Sequence, residues 1–210
     1  MGEQHGGVHV TGEDADAVAA ILYALEQLRV PNPVVLIDGP SGAGKSTLAD
    51  AIIASWPSAW ATPQLLRMDA IVPGWDGLAA SSEMLATLLD ELAAGRNAGG
   101  RNAAGHHAAG HRAEWTAWDW VMDAPGARGT VVADRPLIVE GSGSLTATTS
   151  VLATVAVWVD LADERERFRR AIERDGALYE PHWDRWAAQE RAHVLRHDPQ
   201  SLADFTVDRV

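Results

Sequence analysis

The segment VVLIDGPSGAGKST, residues 34–47, joins a short apolar run to a glycine-rich loop. Residues 34–37 are continuously apolar and mostly β-branched, which is typical of a strand buried on both faces of a parallel sheet. Residues 39–46 match the pattern G-x-x-x-x-G-K-[ST], and a helix is predicted over residues 45 to about 56. This order of strand, loop and helix predicts a phosphate-binding loop of the P-loop type.

The loop sequence has a specific chemical use. Glycines allow successive backbone N–H groups to point inward as a cradle for anions, and the following helix N-terminus adds partial positive charge. In this motif the lysine ammonium reaches the β- and γ-phosphates, while the hydroxyl of the next residue binds Mg²⁺. The residues predicted to bind ATP with Mg²⁺ are Gly39, Ser41, Gly42, Ala43, Gly44, Lys45, Ser46 and Thr47.

Lys45 is the only lysine among the 17 lysine and arginine residues of the chain. A lysine ammonium is a compact point charge, whereas the arginine guanidinium is a wide planar fork. A biased composition explains the many arginines, but it does not explain why the exception falls inside the phosphate loop. The count indicates a position that arginine cannot fill.

Composition excludes several classes of function. The formal net charge of -12 argues against binding of a nucleic-acid backbone, which needs clustered cations. The absence of cysteine excludes disulfides and cysteine-based zinc sites. The apolar stretches fall far short of the roughly 20 residues of a membrane helix, and no signal peptide is evident. We expect a cytoplasmic protein whose partner is a small-molecule phosphoryl acceptor, without contact to nucleic acid or membrane.

Apolar periodicity predicts alternating strands and helices in a single domain of residues 1–210. Strands are predicted at residues 34–37, 65–68, 137–139, 155–159 and 205–207, and helices at residues 12–29, 45–56, 81–94, 163–174 and 182–196. This alternation favours an α/β P-loop NTPase sandwich of three layers, with a mostly parallel five-stranded sheet and helices on both faces. Residues 1–10 are expected to be loose. Residues 95–112, rich in Gly, Ala, Asn and His, are expected to form a flexible insertion.

Acidic residues follow the second and third predicted strands. Parallel strands place their carboxyl ends at one edge of the sheet, where ligands bind in open α/β folds. Phosphoryl transfer to a hydroxyl needs a carboxylate that orients the acceptor and takes its proton, and we assign this role to Asp69. Glu140 is expected to face Mg²⁺. The alternative role of either carboxylate is a helix cap or a solvated surface charge.

An arginine-rich helix is predicted between residues 163 and 174. Arg167, Arg170 and Arg174 lie on one face of it, at spacings i, i+3 and i+7. Guanidinium groups stabilise the charge that a phosphoryl transition state spreads over its equatorial oxygens, which makes Arg170 a candidate catalytic residue. The alternative is a solvated face paired with neighbouring acids. These acids are Asp163, Glu164, Glu166 and Glu173.

Over most of residues 33–208 the sequence resembles the uridine kinase-like group of P-loop kinases. The segments that carry the resemblance are VVLIDGPSGAGKSTLA, MDAIVPGW, WDW, PLIVEGSGSL, RFRRAIERD and ADFTVD. The family pattern R-x-x-R-x-x-x-R-D is matched by Arg167, Arg170, Arg174 and Asp175. The resemblance implies a mobile lid helix whose arginines close on the phosphates. It also implies that Asp69 is the catalytic carboxylate, that Glu140 is the acid beside Mg²⁺, and that the acceptor is a nucleoside.

The departures from the family fall in segments that we expect to border the acceptor. Ala70-Ile71-Val72 stands where the family has an aromatic pair, and Trp118-Asp119-Trp120 stands where it has Tyr-Asp-Phe. Residues 178–183 replace the family's Glu-Arg-Gly-Arg stretch after the lid. Tryptophan rings in such segments can stack on a base or a sugar. The residues expected to contact the acceptor are Asp69, Trp75, Trp118 and Asp119.

Two functional classes fit the sequence. The first is a small-molecule kinase whose acceptor is a nucleoside, with a nucleoside monophosphate, a sugar or a pantothenate-type alcohol as alternatives. The second is a regulatory P-loop ATPase without a small acceptor. A GTPase is disfavoured, because the guanine-reading motif Asn-Lys-x-Asp needs a second lysine that the chain lacks.

We expect Lys45→Ala to abolish ATP turnover without unfolding the protein, because the residue stands at the lip of the loop rather than in a core. The loss should amount to several kcal/mol of transition-state stabilisation, as for other preorganised electrostatic groups. Lys45→Arg should also fail, because the planar fork does not fit the cradle. Steady-state ADP release by both variants, with circular dichroism as the folding control, checks this. Near-normal turnover of Lys45→Arg would contradict the explanation of the single lysine.

Overall fold

The computed structural model describes residues 7–11, 14–98 and 111–209. The strands are β1 (Val8–Thr11), β2 (Val34–Asp38), β3 (Gln64–Arg67), β4 (Arg112–Asp119), β5 (Ala124–Val132), β6 (Leu137–Glu140), β7 (Val155–Leu161) and β8 (Phe205–Arg209). The α-helices are α1 (Asp14–Leu28), α2 (Lys45–Ala54), α3 (Leu78–Ala98), α4 (Ala147–Ser150), α5 (Glu164–Asp175) and α6 (Trp183–His197). None of the described helices has the length and apolar character that a membrane crossing needs.

The main sheet has six parallel strands in the order β1-β8-β7-β2-β6-β3. All five residues of β2, near its centre, are buried. Val34 and Leu36 pack into the core on one face, whereas Val35 and Ile37 pack into the core on the other. Helix α3 contributes to the first core, and α1 and α2 contribute to the second. The prediction of an α/β fold with a parallel sheet flanked by helices is confirmed.

The prediction of five strands is wrong, because β1 adds a sixth strand at one edge of the sheet. Residues 8–10 of this strand lie in the segment that the sequence predicts to be loose. It pairs in parallel with β8, from Val8 opposite Phe205 to Thr11 opposite Asp208. Its four residues are mostly exposed and carry no strong apolar pattern, so the signal in the sequence is weak. The strand forms because the edge of β8 offers backbone partners to its N–H and C=O groups.

The segment between α3 and β6 contains structure that the sequence did not predict. Helix α3 extends to Ala98, and β4 and β5 form an antiparallel hairpin. The side-chain amide of Gln64 in β3 attaches this hairpin to the main sheet: it donates to the Val132 carbonyl (2.9 Å) and accepts from the Val132 N–H (2.8 Å). The first residues of the predicted insertion belong to α3, and residues 99–110 lie outside the part of the chain that the structure describes.

The parallel strands bring two predicted carboxylates to the edge where the phosphate loop leaves β2. Strand β3 ends at Arg67, and Asp69 lies just beyond it in the 3₁₀ turn Met68–Ala70. Glu140 is the last residue of β6, which pairs with both β2 and β3. The fold therefore gathers the loop and both carboxylates at the carboxyl end of the sheet.

Candidate functional site

The phosphate loop needs glycine at three positions because of its backbone. Gly39, Gly42 and Gly44 have φ angles of 148°, 78° and 97°, in the region that favours glycine. A Cβ on Gly39 would overlap the carbonyl of Val159 in β7, and a Cβ on Gly42 would overlap the carbonyl of Arg167 in α5. The glycines therefore shape the cradle and also let β7 and α5 pack directly against it.

A buried carboxylate, which sequence reasoning missed, fixes the base of this loop. Asp38, the last residue of β2, is 1% exposed. It accepts hydrogen bonds from the backbone N–H groups of Gly39 (2.7 Å), Gly143 (3.0 Å) and Leu145 (2.7 Å). The Nε2 atom of His193 in α6 lies 3.2 Å from the same carboxylate. Because hydrogen bonds to a charged acceptor are the strong ones, Asp38 ties the loop firmly to the segment after β6.

The loop borders a phosphate cavity of about 300 Å³. The sequence-predicted residues that line it are Ser41, Gly42, Gly44, Lys45, Ser46, Thr47, Asp69, Glu140, Arg170 and Arg174. The ammonium of Lys45 is largely buried and donates to the Pro40 carbonyl (2.9 Å) and to Ser142 Oγ (3.2 Å). Ala43 instead packs into the core with α2, and Gly39 borders a neighbouring cavity. The cavity brings the loop together with the cations Lys45, Arg170 and Arg174, which attract an anionic ligand such as a polyphosphate.

Two oxygen groups at this cavity fit Mg²⁺. The Ser46 hydroxyl lies 3.1 Å from Oε1 of Glu140, which is buried. Arg67 donates to the same oxygen (2.7 Å) and to Asp50 (2.8 Å), so its guanidinium orients the Glu140 carboxylate. Mg²⁺ takes hydroxyl and carboxylate oxygens, with phosphate oxygens and water completing its octahedral shell. Ser46 and Glu140 would hold the ion, and Arg67 is a supporting residue that sequence reasoning missed.

Asp69 stands where the phosphate cavity meets a second cavity. Its side chain is open to solvent within the cleft, although protein atoms surround it on most sides. The resulting desolvation raises the pKa of Asp69 above its usual value, and the nearby Glu140 carboxylate raises it further. Arg174 and Lys45 act in the opposite direction. The cleft therefore makes Asp69 a stronger base than a solvated aspartate, and the two cations limit the shift.

Helix α5 places its arginines on both sides of the loop. Arg170 and Arg174 line the phosphate cavity. Arg167 lies at the neighbouring cavity, where its guanidinium is 3.4 Å from the Ser41 carbonyl. Two of the three arginines predicted from the spacing therefore face the phosphate cavity, and the third contacts the loop from its other side.

Ion pairs also hold this helix. Arg169 is exposed and pairs with Glu166 (2.8 Å) and Glu173 (2.9 Å). Arg170 also pairs with Glu166 (2.8 Å), and Arg174 pairs with Asp175. The solvated, ion-paired role belongs mainly to Arg169, whereas Arg170 and Arg174 combine an ion pair with a place at the cavity.

The second cavity, of about 210 Å³, opens beside Asp69 and has aromatic walls. The rings are those of Trp75, Trp120, Tyr179 and Trp186. Trp75 lies nearly parallel to Tyr179, with ring centroids 5.7 Å apart. The indole N–H of Trp120 donates to the backbone carbonyl of Asp69 (2.9 Å), which joins this wall to the turn that carries the carboxylate. We call this space the aromatic cavity; its rings lie next to the Asp69 carboxylate.

The structure places two of the residues expected to contact the acceptor outside the aromatic cavity. Asp119 accepts from the N–H groups of Val121 and Met122 (both 3.0 Å), so its carboxylate shapes the hairpin turn. The ring of Trp118 packs beside Gly74. Trp120, in the turn just after β4, reaches Asp69 instead through the hydrogen bond from its indole N–H.

Tyr179 and Trp186 line the aromatic cavity without having been predicted there. Tyr179 falls within residues 178–183, where the sequence departs from the family, and this departure was the available signal. Trp186 has the helical spacing of a core residue and is indeed buried, so its pattern does not distinguish a core ring from a ring at a site.

Comparison with known proteins finds similarity in structure. No family model and no curated protein matches the chain. Similar solved structures include a possible uridine kinase from Bacillus stearothermophilus, with a TM-score of 0.61, 18% identity, and coverage of 92% of this chain and 98% of that chain. Another is a candidate fructose transport system kinase from Silicibacter sp. TM1040, with a TM-score of 0.62, 19% identity, and coverage of 93% and 98%. At these identities the similarity establishes a shared fold.

We expect Gly42→Ala to weaken MgATP binding, because the added methyl group would collide with the Arg167 carbonyl and displace α5 from the loop. Gly176→Ala is the matched control: Gly176 also has a positive φ, of 60°, but none of the described residues has an atom within 4 Å of the added carbon. Both substitutions place a side chain at a positive φ, so both carry backbone strain.

Isothermal titration should give roughly tenfold weaker MgATP binding for Gly42→Ala and little change for Gly176→Ala. Equal effects of the two substitutions would contradict a role for the packing of α5 on the loop.

Proposed function

Starting from its uridine kinase-like kinase fold, we propose that this protein transfers the γ-phosphoryl group of ATP, bound with Mg²⁺, to a hydroxyl group of a small molecule. One observation carries the proposal: Asp69 lies on the boundary between the phosphate cavity and the aromatic cavity. A kinase needs a carboxylate where donor and acceptor meet, because the attacking hydroxyl must lose its proton. A regulatory ATPase without an acceptor does not require an aromatic cavity beside this carboxylate.

The donor side combines an amide cradle with cations. The loop amides, the N-terminus of α2 and Lys45 would bind the β- and γ-phosphates. Ser46 and Glu140 would hold Mg²⁺, which supplies charge neutralisation on the phosphate oxygens. Arg170 and Arg174 would stabilise the transferred group, because guanidinium groups suit its equatorial oxygens.

The proposed transfer step needs only ATP, the acceptor hydroxyl and a group that takes the proton. The acceptor oxygen forms a bond to the γ-phosphorus while the bond between that phosphorus and the bridging oxygen breaks, and ADP leaves. Asp69 orients the acceptor hydroxyl and takes its proton. The raised pKa of Asp69 suits this role, since a stronger base accepts the proton more readily.

The aromatic cavity favours an acceptor that carries a flat ring. Trp75 and Trp120 supply apolar ring surface. Tyr179 and Ser41 line the same cavity and add polar groups to its wall. A nucleoside, with a base and a sugar hydroxyl, is the first candidate. A sugar is the second, since one protein of similar structure is named a fructose transport system kinase.

Asp69→Asn separates a kinase from a regulatory ATPase. Asparagine keeps the size of aspartate but loses its charge and basicity, so acceptor-dependent transfer should fall roughly 10²- to 10⁴-fold. Binding of MgATP should persist, because the phosphate loop is unchanged. The measurement is ADP release with and without nucleosides, nucleoside monophosphates, sugars and pantothenate. Asp90→Asn, at an exposed position of α3, is the charge-matched control.

The wild type should show ADP release that depends on one class of acceptor. A wild type that no acceptor stimulates would remove the main support for a kinase. Stimulation that Asp69→Asn keeps in full would leave the kinase in place and refute Asp69 as its base.

The pH dependence of transfer should also report on Asp69. Its pKa is raised above 3.8, so kcat/KM should fall as the pH drops through that raised value and the base becomes protonated. Arg174 lowers this pKa, and Arg174→Gln should therefore move the acid limb of the profile to higher pH. Arg169→Gln, on the ion-paired side of α5, is the control and should leave the limb in place. An unmoved limb in Arg174→Gln would count against Asp69 as the titrating base.

A further inference from the structure

Helix α6 carries a buried carboxylate that the proposed reaction does not use. Glu190 is 6% exposed. Four donors converge on one of its two carboxylate oxygens, Oε1. They are the Ser41 N–H (2.8 Å), the Ser41 hydroxyl (2.7 Å), the Ser142 hydroxyl (2.8 Å) and the Trp186 indole N–H (3.0 Å). All of these donors are neutral. A buried charge is costly unless such hydrogen bonds offset its loss of water, so this convergence needs a reason.

Two of the contacts act on the phosphate loop. Ser41 lines both the phosphate cavity and the aromatic cavity, so it stands at the junction that the transferred group must cross. Its backbone N–H and its hydroxyl both donate to Glu190. The carboxylate therefore fixes both the backbone and the side-chain rotamer of the loop at this junction.

A third contact leads to Lys45. The ammonium of Lys45 donates to Ser142 Oγ (3.2 Å). Ser142 has one hydroxyl proton and two acceptors within reach, Glu190 (2.8 Å) and the Gly39 carbonyl (2.9 Å). A carboxylate is the stronger acceptor, so the proton points to Glu190 and a lone pair of Ser142 faces Lys45. One hydroxyl thus connects the single lysine of the chain to Glu190.

We propose that Glu190 is a positioning residue of the phosphate site, which fixes Ser41 directly and the Lys45 ammonium through Ser142. A purely structural anchor for α6 would account for the burial of Glu190. It would not account for the two serines at the loop or for the connection to Lys45. The kinetic consequence rests on the proposed function, because a displaced Lys45 slows transfer only where transfer occurs.

The single lysine provides a readout of its own position. In protein labelled with ¹³C-lysine, only Lys45 gives a signal. A side chain held in one conformation gives two ε-methylene proton shifts, whereas fast exchange between rotamers averages them. We expect two separate shifts in the wild type and averaged shifts in Glu190→Gln and Ser142→Ala. Glu26→Gln, at an exposed position of α1, makes the same charge change as Glu190→Gln and should keep both shifts.

The second measurement is kinetic. At saturating ATP and acceptor, kcat of Glu190→Gln should fall about tenfold, which corresponds to about 1.4 kcal/mol. The thermal midpoint should remain well above the assay temperature. A merely structural role would lower the midpoint but leave kcat of the folded protein and the two Lys45 shifts unchanged, and this result would overturn the proposal. A wild type without acceptor-dependent transfer would refute the proposed function, while the Lys45 spectra would still decide the role of Glu190.

Discussion

The buried carboxylate of Asp38 is the constraint on which the site depends. It lies at the end of the central strand β2 and accepts hydrogen bonds from three backbone N–H groups, one in the phosphate loop and two after β6. The loop that carries Ser46 and the segment that carries Ser142 therefore have a fixed relative position. Glu140, at the end of β6, is thereby held close to the loop, where its carboxylate contacts the Ser46 hydroxyl. A fully satisfied buried charge is well suited to this purpose, because its hydrogen bonds are strong and directional.

The charges of the site come from elements with different freedom to move. Lys45 is held within the fold, between the loop and Ser142. Arg170 and Arg174 belong to α5, and their charge reaches the phosphate cavity only while α5 packs on the loop. That packing is possible because residue 42 is a glycine, which has no side chain to collide with α5. Under the proposed function, a highly charged ligand would supply the anion that these arginines face, and its binding would be coupled to the packing of α5 on the loop.

The phosphate side of the site could be predicted from the sequence because its determinants are local. The loop motif occupies one short segment, and Asp69 follows a strand whose parallel partners bring it to the same edge. The acceptor side could not be predicted in the same way. Asp119 and Trp120 are neighbours in the chain, yet one shapes a turn and the other reaches the aromatic cavity. Glu190 was missed because its donors are distant in sequence: Ser41 lies 149 residues away. Strand β1 was missed because its pairing, rather than its own residues, makes it a strand.

Under the proposed function, this site moves a phosphoryl group from ATP in the phosphate cavity to a hydroxyl in the aromatic cavity. Mass spectrometry of the acceptor, after reaction with Mg²⁺ and ATP labelled with ¹⁸O on its γ-phosphoryl oxygens, tests it most directly. The expected product is a phosphorylated acceptor that carries the labelled group and forms in equal amount with ADP. Labelled inorganic phosphate as the only product, with every acceptor of the panel unchanged, would contradict it.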